Sequence, residues 1–186
     1  MNIEYFIERR CNMVYKTMIA GAIEYNYGIA EKLIDRVDEA SLNWKPESGS
    51  NWMTTGQLLR HISDACGASI KGFVTGDWGM PEGMDMAEMS PEDMLPSAEK
   101  LPTVSSVAEA KALLQADKAL AHEMLASVTE EQLATTIAKA PWDEMEMPLG
   151  QRMLQMANHL SQHKGQLFYY LKLQGQPVHT GDLWGM

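Results

Sequence analysis

A chain of 186 residues with a formal net charge of −10 has the length for one domain with its own core, from residue 1 to 186. It lacks the cationic surplus that nucleic acid or an anionic lipid surface requires. With 45% hydrophobic and 22% charged residues, the composition excludes global disorder.

Met1 to Arg10 carries charges of both signs and lacks the apolar stretch of a signal peptide. No uncharged apolar run approaches the ~20 residues of a membrane span. The two cysteines, Cys11 and Cys66, are too few for a disulfide scaffold, and each falls on the apolar side of a predicted helix, where a thiol packs as a small hydrophobe. These features predict a cytoplasmic protein with neither nucleic acid nor membrane as partner.

From Ile3 to about Val37, apolar residues recur in steps of three and four: Ile7, Cys11, Val14, Met18, Ala22, Tyr25, Ile29, Leu33 and Val37. That spacing predicts one long amphipathic helix, with a loop of turn formers from Asn43 to Asn51 after it. A second helix is expected from Thr54 or Thr55, burying Leu58, His61, Ile62, Ala65, Ser69 and Phe73. Ser69 is expected to bond back to a carbonyl one turn earlier.

From Gly76 to Pro102 an acidic, Met-rich stretch is broken by Pro81, Pro91, Pro96 and Pro102. It is long for a loop in a compact domain. Its Met80, Met84, Met86, Met89 and Met94 suit the covering of adaptable apolar surface better than a Cu(I) site. A third helix fits Ser106 to Ser127, with Val107, Ala110, Leu114, Leu120 and Met124 inward. Thr129 to Gln132 resembles a capped turn, and Ala134 to Met147 a short hairpin or loop. The last helix runs from Leu149 to Leu173, ending at Gly175 with Pro177 beyond. The tail holds Val178, Leu183 and Trp184 to bury. The expected fold is all-α: an antiparallel up-down-up-down four-helix bundle with a long loop between helices 2 and 3. The first helix is long enough to serve a homodimer contact, symmetric pairs being the commonest oligomers.

His159 and His163 lie four residues apart on the apolar side of the last helix, so their imidazoles leave neighbouring points of one face. His61 occupies an inward position of the second helix. Inward positions of facing helices meet in a bundle core. Three neutral imidazoles there would bind one divalent ion such as Zn or Ni and leave positions open, as catalytic rather than structural sites do. No Glu adjoins His159, so the helical zinc-protease signature is absent. His122 is placed on the surface of the third helix and His179 in the tail.

The run Asn158-His159-Leu160-Ser161-Gln162-His163-Lys164-Gly165-Gln166-Leu167 resembles the C-terminal motif of the DinB/YfiT-like proteins. Thr55-Gly-Gln-Leu-Leu-Arg-His61-Ile resembles their second-helix motif, and Trp44-Lys45-Pro46 and the closing Gly175-Gln-Pro-Val178 and Gly181-Asp-Leu-Trp184-Gly185 are also similar. The resemblance implies a four-helix metalloprotein with His61, His159 and His163 as metal ligands. Lys164 stands where the family usually has Arg, which keeps the charge but not the planar fork. Gln166 and Lys164 are expected beside the ligands, and Asp64, one turn on from His61, is the nearest carboxylate candidate.

Some relatives are transferases or isomerases that use low-molecular-weight thiols, so a metal-dependent thiol S-transferase is the leading expectation. The long loop would cover its site. A non-catalytic metal-binding stress protein and a metal-dependent hydrolase of a small substrate are the alternatives. The hydrolase is weakened by the lack of an evident general base.

Overall fold

A computed structural model describes residues 14–80 and 89–186. The predicted helix start from Ile3 to Met13, with Cys11, and Met84 and Met86 lie outside these residues. The described residues are mostly helical, with one two-stranded sheet among them. Helix α1 spans Val14–Ile34, α2 Thr55–Ile62, α3 Gly67–Thr75, α4 Pro91–Met94, α5 Val107–Ser127, α6 Glu130–Thr135, α7 Leu149–Leu173 and α8 Thr180–Trp184. Strands β1 (Ile137–Lys139) and β2 (Glu146–Pro148) pair antiparallel, with Ala138 opposite Met147. No helix among the described residues is long and apolar enough to cross a membrane.

The ends of these elements follow local chemistry. Thr54 caps α2 and Thr129 caps α6, each through a reciprocal box with a glutamine three residues on. Ser106 caps α5 by accepting from the Glu109 amide. After α7 the chain turns at Gly175, whose φ of 79° is open to glycine at little cost. In the tail His179 and Asp182 cap α8.

Four helical units pack together: α1, the α2–α3 pair, α5 and α7. Helix α1 lies against α7 and α5, and α3 against α5 and α7. Their inward faces make one apolar cluster that includes Ile19, Ile23, Leu33, Leu58, Leu114, Met153 and Leu160.

The side-chain pairings give each helix a direction. Along α1 and α5 they join Lys16 to Ala126, Tyr27 to Asp117 and Asp35 to Lys111, so these two run antiparallel. Between the second unit and α7 they join Thr55 to Gln174, His61 to His163 and Ala65 to His159, again antiparallel. Ser63 bonds Ala110 and Gly67 bonds Asp117, so the second unit and α5 run parallel. The order is therefore up-down-down-up, not the expected up-down-up-down.

The reason is the connection from Gly76 to Ser106. It carries the chain back to the end where α2 began, which is the crossover a parallel pair requires. The crossover is tied down there: the Gln57 side-chain amide donates to the Ala98 and Leu101 carbonyls at 2.8 and 2.9 Å, and the Val104 amide to Gly56 at 3.3 Å.

The predicted second helix is broken from Ser63 to Cys66. Ser63, not Ser69, bonds back one turn, its hydroxyl donating to the Leu59 carbonyl at 2.7 Å. Helix α3 has no cap from its own Cys66. Its first amides are taken by a carboxylate from another helix: Asp117 accepts from Gly67 at 2.9 Å, Ala68 at 2.7 Å and Cys66 at 3.4 Å. A β-carbon at position 67 would collide with the Asp117 backbone oxygen, so only glycine fits this approach.

Candidate metal centre

His61 lies in the last turn of α2, and His159 and His163 sit one turn apart on α7. Because α2 and α7 run antiparallel across the core, the three imidazoles meet. His163 Nε2 lies 3.1 Å from His61 Nε2 and 3.0 Å from His159 Nε2, and one ligand atom from each residue falls within 4.8 Å of the others. Zn–N bonds of 2.0–2.1 Å in a tetrahedron place nitrogens about 3.3–3.4 Å apart. Both distances from His163 are within a few tenths of an ångström of that spacing, and the third nitrogen pair lies within 4.8 Å, so the three histidines could hold one ion.

The outer nitrogens decide what the inner ones carry. His159 Nδ1 lies 3.0 Å from the Ala65 carbonyl, an acceptor only, so Nδ1 bears the proton and donates. His163 Nδ1 donates to Gln166 Oε1 at 3.0 Å. One turn further on, the Tyr170 hydroxyl donates to the Met53 carbonyl at 2.9 Å. With both Nδ1 atoms protonated, the His159 and His163 Nε2 atoms face each other as bare lone pairs. Such a pair repels unless a cation lies between.

Burial pushes the His61 ring down to about 3, helped by positive charge on His163, His159 and Arg60. Burial likewise lowers His163, with Gln166 opposing. Neutral rings are the form that binds metal. The sign of the linkage follows. The unfolded chain takes up a proton on His61 near 6.5 and the folded chain only near 3, so the metal-free protein loses stability as pH falls through that window. Denaturant melts at several pH values should show this slope. A His61→Gln variant should be shallower by up to about 1.4 kcal/mol per pH unit, one proton's worth; equal slopes would contradict it.

A model described as the DinB superfamily matches residues 22–167, a span that takes in all three histidines. The chain belongs to the DinB superfamily. No curated protein and no solved structure matches it significantly.

In this DinB-superfamily chain two of the three histidines, His61 and His159, line a cavity of about 520 Å³ together with Ser69, Met94, Trp142 and Gln162, among others. Its lining includes the amides of Gln155, Asn158 and Gln162 and the apolar side chains of Leu95 and Met156. No carboxylate lines it among the described residues. Ser69 presents its hydroxyl here, with no protein partner among the described residues. Met94 is a wall of the cavity, which fits the reading of the Met-rich stretch as apolar cover. Trp142 is braced edge-on by Trp78 and Phe73, with ring centroids 5.4 and 6.0 Å away.

Gln166 touches the triad; two other residues singled out from the sequence do not. Asp64 pairs with Arg60 at 2.6 Å, and burial raises its carboxyl to about 6 against the pull of that guanidinium. Lys164 is buried on another side of α7, its ammonium 3.5 Å from the Leu183 carbonyl and 5.7 Å from the Tyr25 ring centre. It braces the tail, and burial lowers its pKa. Position along α7 explains this, since neighbouring residues on a helix diverge by about 100°. His122 is half-buried and pairs with Glu24, and His179 caps α8.

Two further buried charged residues were not singled out from the sequence. Arg152 is fully buried, and Asp117 is 6% exposed. A signal existed for both. Asp117 falls three residues after Leu114 and four before Ala121, and Arg152 three after Leu149 and four before Met156, so each occupies an inward register.

Proposed function

We propose that His61, His159 and His163 hold one divalent ion, Zn or Ni, and that the protein is a metal-dependent enzyme joining a low-molecular-weight thiol to a small electrophile. The observation that carries this reading is three convergent imidazole nitrogens beside a cavity that His61 and His159 line, with no carboxylate in its described lining. A divalent ion with an open position lowers the pKa of a thiol it binds, producing the reactive thiolate near neutral pH.

The chain's own groups supply the rest. Ala65 and Gln166 hold two rings with Nε2 inward. Ser69, Gln155, Asn158 and Gln162 offer hydrogen bonds that orient the reactants. Trp142, Met94, Leu95 and Met156 keep water from the reacting sulfur. Hydrolysis is less well supported, because activating water calls for a general base within reach and Asp64 is engaged by Arg60.

The test is elemental analysis of untagged protein, followed by assay of the Zn- and Ni-loaded forms. Bacillithiol, mycothiol, glutathione and cysteine would each be paired with a chloronitrobenzene acceptor. About one ion per chain and a thiol-dependent rate absent from the metal-free protein are expected. An ion without turnover for any thiol would favour the non-catalytic metal-binding reading, and no ion at all would remove both.

A further inference from the structure

The metal reading leaves a buried polar cluster unused: Asp117, Tyr27 and the backbone turn at Cys66 to Ala68. We infer that Asp117 is a positioning residue for the metal centre, acting through the Ala65 carbonyl on the tautomer of His159. The inference rests on the proposed metal site but can be tested without the ion.

A continuous helix through residues 62–70 would engage the Ala65 carbonyl with the amide of residue 69, four positions on. No donor would then be owed to His159. The chain instead breaks at Ser63 to Cys66, and α3 begins afresh with its amides turned toward α5. The Asp117 carboxylate meets them, Oδ2 accepting from Gly67 at 2.9 Å and Oδ1 from Ala68 at 2.7 Å. Charge-assisted bonds of this kind are roughly twice as strong as neutral ones.

The carboxylate is itself held. The Tyr27 hydroxyl donates to Oδ2 at 2.5 Å and also accepts from the Gly67 amide at 3.2 Å. The break is therefore imposed from α1 and α5 rather than by the residues within it. Its consequence is on the opposite side of the turn, where the Ala65 carbonyl points at α7 and takes the His159 Nδ1 proton at 3.0 Å. That bond leaves Nε2 bare and aimed at His163. A partner of this type behind a ligating histidine commonly governs 10- to 100-fold of metal affinity.

The experiment compares wild type, Asp117→Asn, Tyr27→Phe and Ser63→Ala. The asparagine keeps the shape but has one acceptor oxygen and presents an NH₂ to backbone amides. Ser63→Ala removes bonds to the Leu59 and Ala110 carbonyls at the same junction without touching the Asp117 contacts, and controls for general destabilisation. In metal-free protein, long-range ¹H–¹⁵N NMR should show His159 protonated at Nδ1 in wild type and in Ser63→Ala. It should show a mixture of tautomers in Asp117→Asn, and a smaller shift the same way in Tyr27→Phe.

Zinc affinity should fall about 10-fold or more in Asp117→Asn and stay within about twofold in Ser63→Ala at matched loss of melting temperature. If Asp117→Asn does not fold, Tyr27→Phe carries the test with the same readouts. An unchanged tautomer, or affinity that tracks melting temperature alike in all variants, would overturn the inference. Should wild type bind no zinc, the metal reading falls while the tautomer comparison still decides the role of Asp117.

Discussion

His159→Ala, purified without a histidine tag, is expected to retain no zinc or nickel after desalting, against about one ion per wild-type chain. His159 and His163 come from one helix turn and His61 from the facing helix, so removing either α7 ligand leaves two nitrogens, one short of the three that open sites use. The loss should be specific. His159 donates one hydrogen bond, to the Ala65 carbonyl, and its removal costs about 1–2 kcal/mol in the metal-free protein. The variant should therefore stay folded by circular dichroism. Zinc added to wild type should raise its melting temperature, because a ligand that binds only the folded state stabilises it by mass action; the same addition should leave the variant unmoved. His122→Ala is the control, since that ring pairs with Glu24 on the surface. Retention of a full equivalent of metal by His159→Ala would remove the triad as the site.

Much of this was legible because the signals are local. The last helix was expected from Leu149 to Leu173 and is found there, and the third, expected from Ser106 to Ser127, is α5 from Val107 to Ser127. The triad was legible for the same reason: four residues along a helix fix a shared face, and an inward register points it at the facing helix. The turn at Thr129 appeared as expected, and the segment read as hairpin or loop is a two-stranded hairpin.

What was not legible comes from distant partners. Nothing near Ser63 announces the break between α2 and α3, because the group that stabilises it is a carboxylate 50 residues away. The direction of α5 was hidden as well. Periodicity does not show which way a helix runs, and on α1 it placed the exposed Val14, Met18 and Tyr25 on the apolar face; a long acidic stretch read as a covering loop is also the crossover that reverses the expected topology. Lys164 shows the limit of motif adjacency: it neighbours His163 in sequence, yet α7 turns it to the tail.

Arg152→Ala should be strongly destabilising, by about 2–4 kcal/mol and roughly 6–12 °C in melting temperature. The guanidinium is fully buried. It grips Asp143 with two nitrogens at 2.8 and 3.1 Å, the Gln155 side chain at 2.9 Å, and the carbonyls of Ala138 and Met145. Its Cζ also lies 5.5 Å from the Phe73 ring centre. Truncation leaves two hairpin carbonyls without this donor and a void beneath an aromatic cluster. Asp143 is a third exposed, so solvent relieves part of its loss, which keeps the estimate below that for a wholly buried pair. Arg152→Lys should recover little, because an ammonium cannot present the planar fork that spans Asp143 and the hairpin at once. The damage should also reach the cavity. Trp142 precedes Asp143 and walls the space above the triad, so the near-UV circular dichroism of the tryptophans should weaken while the helical signal persists. A melting temperature within about 2 °C of wild type would show that the hairpin is held by its apolar contacts instead.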